Sequence, residues 1–150
     1  ANTPDIECFY ENFNAICEVT MLTGRDQWYN EGQPVMRHLR DFENKYENKP
    51  SYCLFISPRL HRDTMNTFWT AIKYEYEGRP QKIIPLSINH FVLILKGLLQ
   101  MKAEKRFLKH EEISHLYEKI LHSSNSFNDS DEWLRSIPST ISSWQVSLTS

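Results

Sequence analysis

Residues 51–57 read SYCLFIS, an apolar run closed by Pro50 on one side and Pro58 on the other. Such a run lacks the alternation of a half-exposed strand and suits a strand buried on both faces. It predicts a central strand, and a central strand needs neighbours in the sheet and cover above and below.

The neighbours are legible on either side of it. Residues 5–11 (DIECFYE) and 15–22 (AICEVTML) alternate, with Asn12-Phe13-Asn14 between them, which predicts a β-hairpin. Residues 81–87 (QKIIPLS) form a fourth strand candidate, and Pro85 pushes it toward an edge or a strand end because proline lacks a ladder donor. Val35, Leu39, Phe42 and Tyr46 recur at helical spacing, as do Met65, Phe68, Trp69, Ile72 and Tyr76. Ser87 is placed to cap a third helix carrying Phe91, Val92, Leu95, Leu98 and Leu99, and Ile113, Leu116, Tyr117 and Ile120 mark a fourth. The predicted order is ββαβαβαα, an α/β class with a mixed sheet. Residues 122–130 read as an exposed loop, and 131–150 as a tail segment in which Trp133 and Trp144 are core anchors.

A chain of 150 residues holds one domain. Its four glycines are too scattered for a phosphate-cradling loop, which excludes the P-loop and dinucleotide-binding classes. Net charge is −2, so nucleic-acid binding cannot rest on a globally basic surface. Cys8, Cys17 and Cys53 sit among apolar neighbours and read as reduced thiols. Neither a membrane span nor a signal peptide is legible, and the expected location is the cytoplasm.

The hairpin carries the chemistry. Centring its turn between Asn12 and Phe13 sets Asp5 opposite Thr20 and Glu7 opposite Glu18, so Asp5 and Glu18 become diagonal neighbours. Diagonal positions are ~7 to 8 Å apart, near enough for two carboxylates to converge on one cation. On this register Ile6, Cys8, Ala15, Cys17, Val19 and Met21 form the inward face. Two carboxylates with a backbone carbonyl suit a hard dication such as Mg²⁺, an arrangement for phosphodiester chemistry; a solvated acidic hairpin face is the alternative. Gln27, Glu31 and His38 fall within about 40° of one another on a continuous helix. Gly32 and Pro34 lie inside that stretch, where a kink or break would separate them.

Pro4-Asp5, twelve residues, then Glu18-Val19-Thr20 resembles the PD-(D/E)xK nuclease motif, with Thr20 at the lysine position. Gln27, Glu31-Gly32 and Arg37-His38-Leu39 continue the pattern in a way that is similar to the AlwI-type branch of type IIS restriction and nicking endonucleases. Within that branch the chain most resembles the C-terminal cleavage domain of the large, strand-nicking subunit of a heterodimeric enzyme. The resemblance implies a restriction-endonuclease-like three-layer core and Mg²⁺, with Mn²⁺ as substitute. It implies Asp5, Glu18 and the Val19 carbonyl as ligands, with Glu31 and His38 completing the site. His38, positioned by Glu31 or Gln27, would stand in for the lysine. It further implies double-stranded DNA as substrate, an N-terminal recognition domain in the same parent chain, and a small nuclease subunit that cuts the other strand.

Two other functions fit the same residues: a noncatalytic nuclease-fold scaffold that docks a partner nuclease, which Thr20 favours, and an exonuclease or junction resolvase. Arg59, His61 and Arg62 follow the buried strand where a phosphate could sit, although cations there are usually only solvated. His110 and His115 are five apart, which excludes the zinc-protease spacing. Lys102, Lys105, Arg106 and Lys109 read as a solvated run.

Overall fold

The computed structural model describes residues 3–149. The run between the prolines is strand β3 (Ser51–Ser57), buried at every position. It lies between two parallel neighbours, β2 (Asn14–Val19) and β4 (Ile83–Ser87), and β1 (Ile6–Phe9) pairs antiparallel with β2. The mixed sheet therefore runs β1-β2-β3-β4, with Pro85 on an edge strand as its missing donor requires.

Both β2–β3 and β3–β4 connections are helical crossovers. The first contains α1 (Arg25–Gln27), a π turn over Trp28–Gly32 and α2 (Gln33–Lys45); the second is α3 (Arg62–Lys73). The Phe9–Phe42 and Phe55–Phe68 ring contacts put α2 and α3 on one sheet face. The other face takes α4 (Ile88–Ala103) and α5 (His110–Ser123), where Tyr52 meets Tyr117. The result is a three-layer α/β architecture. Ser87 caps α4 as its sequence position predicts, accepting from the His90 N–H at 3.2 Å. Only Ile94 of that helix is buried, however, and Leu95 and Leu99, expected in the core, are exposed.

The hairpin register differs from the expected one by two residues: Ile6 faces Cys17 and Glu7 faces Ile16. Phe13 is the cause. It is 1% exposed and lies against Tyr10, Tyr52 and Tyr117, so it belongs to the core and not to the turn. The Tyr10 N–H bond to the Phe13 carbonyl then closes the turn one residue earlier. The inward face also needs correction, because Val19 and Met21 are exposed while Glu18 is 4% exposed. Glu18 lies on the face that α2 covers, and the partner that makes its burial tolerable comes from that helix.

Gly32 and Pro34 do not break the first crossover. Pro34 cannot donate to the preceding turn and its ring crowds the carbonyl four residues back; widening to a π turn lets the helix continue. At the other end, the tail segment is a 20-residue helix, α6 (Ser130–Thr149), which packs against α3, α4 and α5. Its Trp133, Ile137, Ile141 and Trp144 are buried. The stretch 122–130, expected as an exposed loop, closes α5 and makes a 3₁₀ turn over Ser124–Ser126, with Ser124 and Ser130 buried. No helix among the described residues is long and apolar enough to cross a membrane.

Trp133 donates its indole N–H to the Ile120 carbonyl at 3.0 Å and packs on Trp69, tying α6 to both α5 and α3. Trp133→Ala should cost about 3–5 kcal/mol in urea unfolding, and Trp133→Phe clearly less; equal losses would place the stabilisation in the indole hydrogen bond instead of its packing.

Candidate active site

β2 ends at the C-terminal rim of the parallel strands, and its last residues bring the acidic groups together. Asp5 lies just before β1, and its Oδ2 accepts the Val19 N–H at 2.8 Å. In a strand the N–H and C=O of one residue point to the same side, so the Val19 carbonyl faces the side that Asp5 occupies. Glu18, one residue earlier, points to the opposite face of its strand from Val19 and reaches His38 of α2, with Oε1 and Nδ1 2.7 Å apart. The His38 side chain is 10% exposed and its Nε2 is buried without a hydrogen-bond partner.

Electrostatics join Glu31 to this group. Burial pushes the Glu18 carboxyl above the usual range; the hydrogen bond and charge of His38 oppose that, while the Asp5 and Glu31 charges add to it. Glu31 is likewise raised, first by burial and then by the Asp5 charge, against a hydrogen bond from Thr20 and the charge of His38. Asp5, Glu18, Glu31 and His38 therefore form one interacting cluster. Thr20, at the position where the nuclease motif has lysine, is 7% exposed and its hydroxyl accepts the Leu22 N–H at 3.2 Å.

Gln27 is not part of that stripe. It is fully buried, its amide nitrogen donating to the carbonyls of Leu22 at 2.7 Å and Arg59 at 2.8 Å, and its oxygen accepting the His61 N–H at 2.8 Å. Gln27 thus clasps the loop after β2 to the loop after β3, and the residue that positions His38 is Glu18. A glutamine beside Trp28 carries no sequence signal for this role, because its partners lie 5 to 34 residues away and, apart from the Ser57 hydroxyl, are backbone groups.

The donor set fits a hard dication. No three His, Cys, Asp or Glu side chains among the described residues are placed to hold an ion, so an ion bound here would have two carboxylates supplemented by a carbonyl, water or phosphate oxygen. Mg²⁺ takes such sites because it keeps several of its waters. Oδ2 of Asp5 and Oε1 of Glu18 are engaged within the protein, which leaves the second oxygen of each carboxylate for the ion. Burial is the main cause of the raised Glu18 and Glu31 carboxyls, and the neighbouring carboxylate charges add to it; a cation would relieve that added part.

A family model described as AlwI restriction endonuclease matches residues 1–94, a stretch that contains all four strands and every residue of this cluster. Among solved structures, the small subunit of the heterodimeric restriction endonuclease R.BspD6I is similar over 91% of this chain and 67% of that one, at 24% identity and a TM-score of 0.72. That likeness shows a shared fold. No curated protein matches the chain significantly.

Metal and protons should compete here. Carboxyls raised on folding stabilise the native state fully below their unfolded value, near 4.3, and lose that contribution as pH rises through the raised folded values. Metal-free stability should therefore fall from about pH 4 upwards on account of Glu18 and Glu31, and the Tm gain on adding Mg²⁺ should grow over the same range. At a hundredfold excess over Kd the gain is about 2.7 kcal/mol, roughly 5–10 °C for a chain of this length. Glu18→Gln should abolish it; a gain that persists in the variant would put the ion elsewhere.

Proposed function

The chain belongs to the AlwI restriction endonuclease family, and from that footing we propose that it is the cleavage domain of a Mg²⁺-dependent, site-specific DNA endonuclease. The reaction is hydrolysis of one phosphodiester in one strand, the type IIS nicking chemistry of a PD-(D/E)xK site. The observation that carries this reading is the 2.7 Å contact between buried Glu18 and His38, with Asp5 at the adjacent strand end and Glu31 acting on both. A surface salt link would have no reason to be 4% exposed and crowded by two further carboxylates.

Asp5, Glu18 and the Val19 carbonyl would hold the ion, which when bound supplies Lewis-acid charge to the phosphate and lowers the pKa of a bound water. The chain's own residues do the rest. In its neutral form, with Nδ1–H donated to Glu18, His38 would carry a lone pair on Nε2, the form able to take a proton from an attacking water. The same hydrogen bond orients the Glu18 carboxylate. Thr20 offers Glu31 a neutral hydroxyl where an ammonium would offset the carboxylate's charge. Mn²⁺ has the same preference for oxygen donors and should substitute.

Double-stranded DNA is the substrate this chemistry implies, in the cytoplasm, with base recognition supplied by an N-terminal domain of the parent chain and the second strand cut by a small partner subunit. The fold is that of the small subunit of a heterodimeric enzyme, which supports a subunit partnership and does not favour the large-subunit assignment. The competing reading, a noncatalytic scaffold that docks a partner nuclease, draws on one feature: Thr20 where the motif has lysine.

Nicking of supercoiled plasmid by the protein in its native assembly separates the two. Asp5→Ala or Glu18→Ala should abolish nicking and leave specific DNA binding intact; undiminished nicking at saturating Mg²⁺ would refute the site. His38→Asn, which keeps a donor for Glu18 and loses Nε2, should lower the single-turnover rate by ~10²- to 10⁴-fold. Near wild-type rates in that variant would reduce His38 to a support for Glu18.

A further inference from the structure

Three carboxylates in a chain of net charge −2 repel the polyanion they would cut, so cations must stand close to the cleavage centre. Many of the basic residues do not. Helix α4 starts directly after Ser87, which pairs with Ser57 at the catalytic end of the sheet, and its 16 residues carry the chain ~24 Å away. Lys102, Lys105 and Arg106 follow at that far end. Arg40 is buried and committed to the carbonyls of Glu77 and Arg79.

Arg25, Arg59 and Arg62 are placed differently. We propose, on the nuclease reading above, that these three arginines are the clamp that holds the sugar-phosphate backbone of the strand being cut. Arg59 and Arg62 flank the turn from β3 into α3, and Arg25 opens α1. Asp63 gathers two of them: its carboxylate lies 3.9 Å from Nε of Arg25 and 3.5 Å from Nε of Arg62, side chains 79% and 81% exposed. Each guanidinium keeps most of its five N–H donors for an anion, in the planar fork that matches a phosphate.

Position ties the group to the cleavage centre. The Gln27 amide nitrogen holds the Arg59 carbonyl beside the Leu22 carbonyl, the Leu22 N–H donates to Thr20 Oγ1, and Thr20 stands two residues after Glu18. A short hydrogen-bonded path thus fixes the arginine-bearing turn against the acidic cluster. The expected ligand is the phosphodiester backbone alone, read without regard to base sequence.

The test is an NMR titration of the ¹⁵N-labelled protein with a short duplex of random sequence in Ca²⁺, which detects weak binding. The arginine Nε–Hε and backbone signals of Arg25, Arg59 and Arg62 should shift, and those of Lys102, Lys105 and Arg106 should not. Shifts centred on the latter, or none at the three arginines, overturn the clamp. In parallel, Arg59→Gln combined with Arg62→Gln should reduce the log–log salt slope of duplex binding by roughly 2 and raise KM for plasmid nicking with kcat unchanged. An unaltered slope also overturns it. If Asp5→Ala leaves nicking intact while the shifts persist, the cleavage reading fails and the clamp stands; the reverse pattern separates them the other way.

Discussion

A carboxylate that is 4% exposed costs several kcal/mol unless its charge is met, and Glu18 is in that position at the end of β2. His38 meets part of the charge. Burial nevertheless keeps the Glu18 carboxyl above its usual range, and Asp5 and Glu31 add to the strain instead of relieving it. A fold that selects only for stability would replace such a group with an apolar residue. On the proposed nuclease reading, its presence beside a helix that delivers a histidine to it is what equips this end of the sheet for chemistry.

The surrounding structure reads as support for that one contact. The π turn at Trp28–Gly32 lets α1 and α2 run as one crossover despite Pro34, so that Glu31 and His38 both come from the segment that covers Glu18. Gln27 joins the loops after β2 and β3 through their backbone groups, a fully buried side chain used as a fastener. Thr20 offers a hydroxyl where a longer cationic side chain would neutralise the cluster. The centre is consequently more acidic than one carrying a lysine, which raises the demand for a dication and for outside cations.

Much of the framework was legible in the sequence because it rests on local pattern: the apolar run of β3, the edge position that Pro85 imposes, the Ser87 cap, and the Trp133 and Trp144 anchors. Asp5, Glu18, Glu31 and His38 were singled out by the motif resemblance, and the hairpin register first used to pair Asp5 with Glu18 was two residues off. What was hidden depends on partners distant in sequence. The hairpin register shifted because Phe13 is claimed by Tyr52 and Tyr117, and Glu18 turned inward because α2 offers it a partner twenty residues on. α6 was obscured by its serines and Pro138, which lower intrinsic helix propensity; burial of four large side chains outweighs that. The clasp formed by Gln27 uses backbone partners that no side-chain pattern announces.

Locating the ion is the most direct test of this account. Mn²⁺ titrated into the ¹⁵N-labelled protein broadens the amide signals nearest the bound metal. The account requires that broadening begin at Asp5, Glu18, Val19 and Thr20, extend to Glu31 and His38, and disappear in Asp5→Asn. Broadening centred on any other part of the chain, or surviving unchanged in that variant, would contradict it.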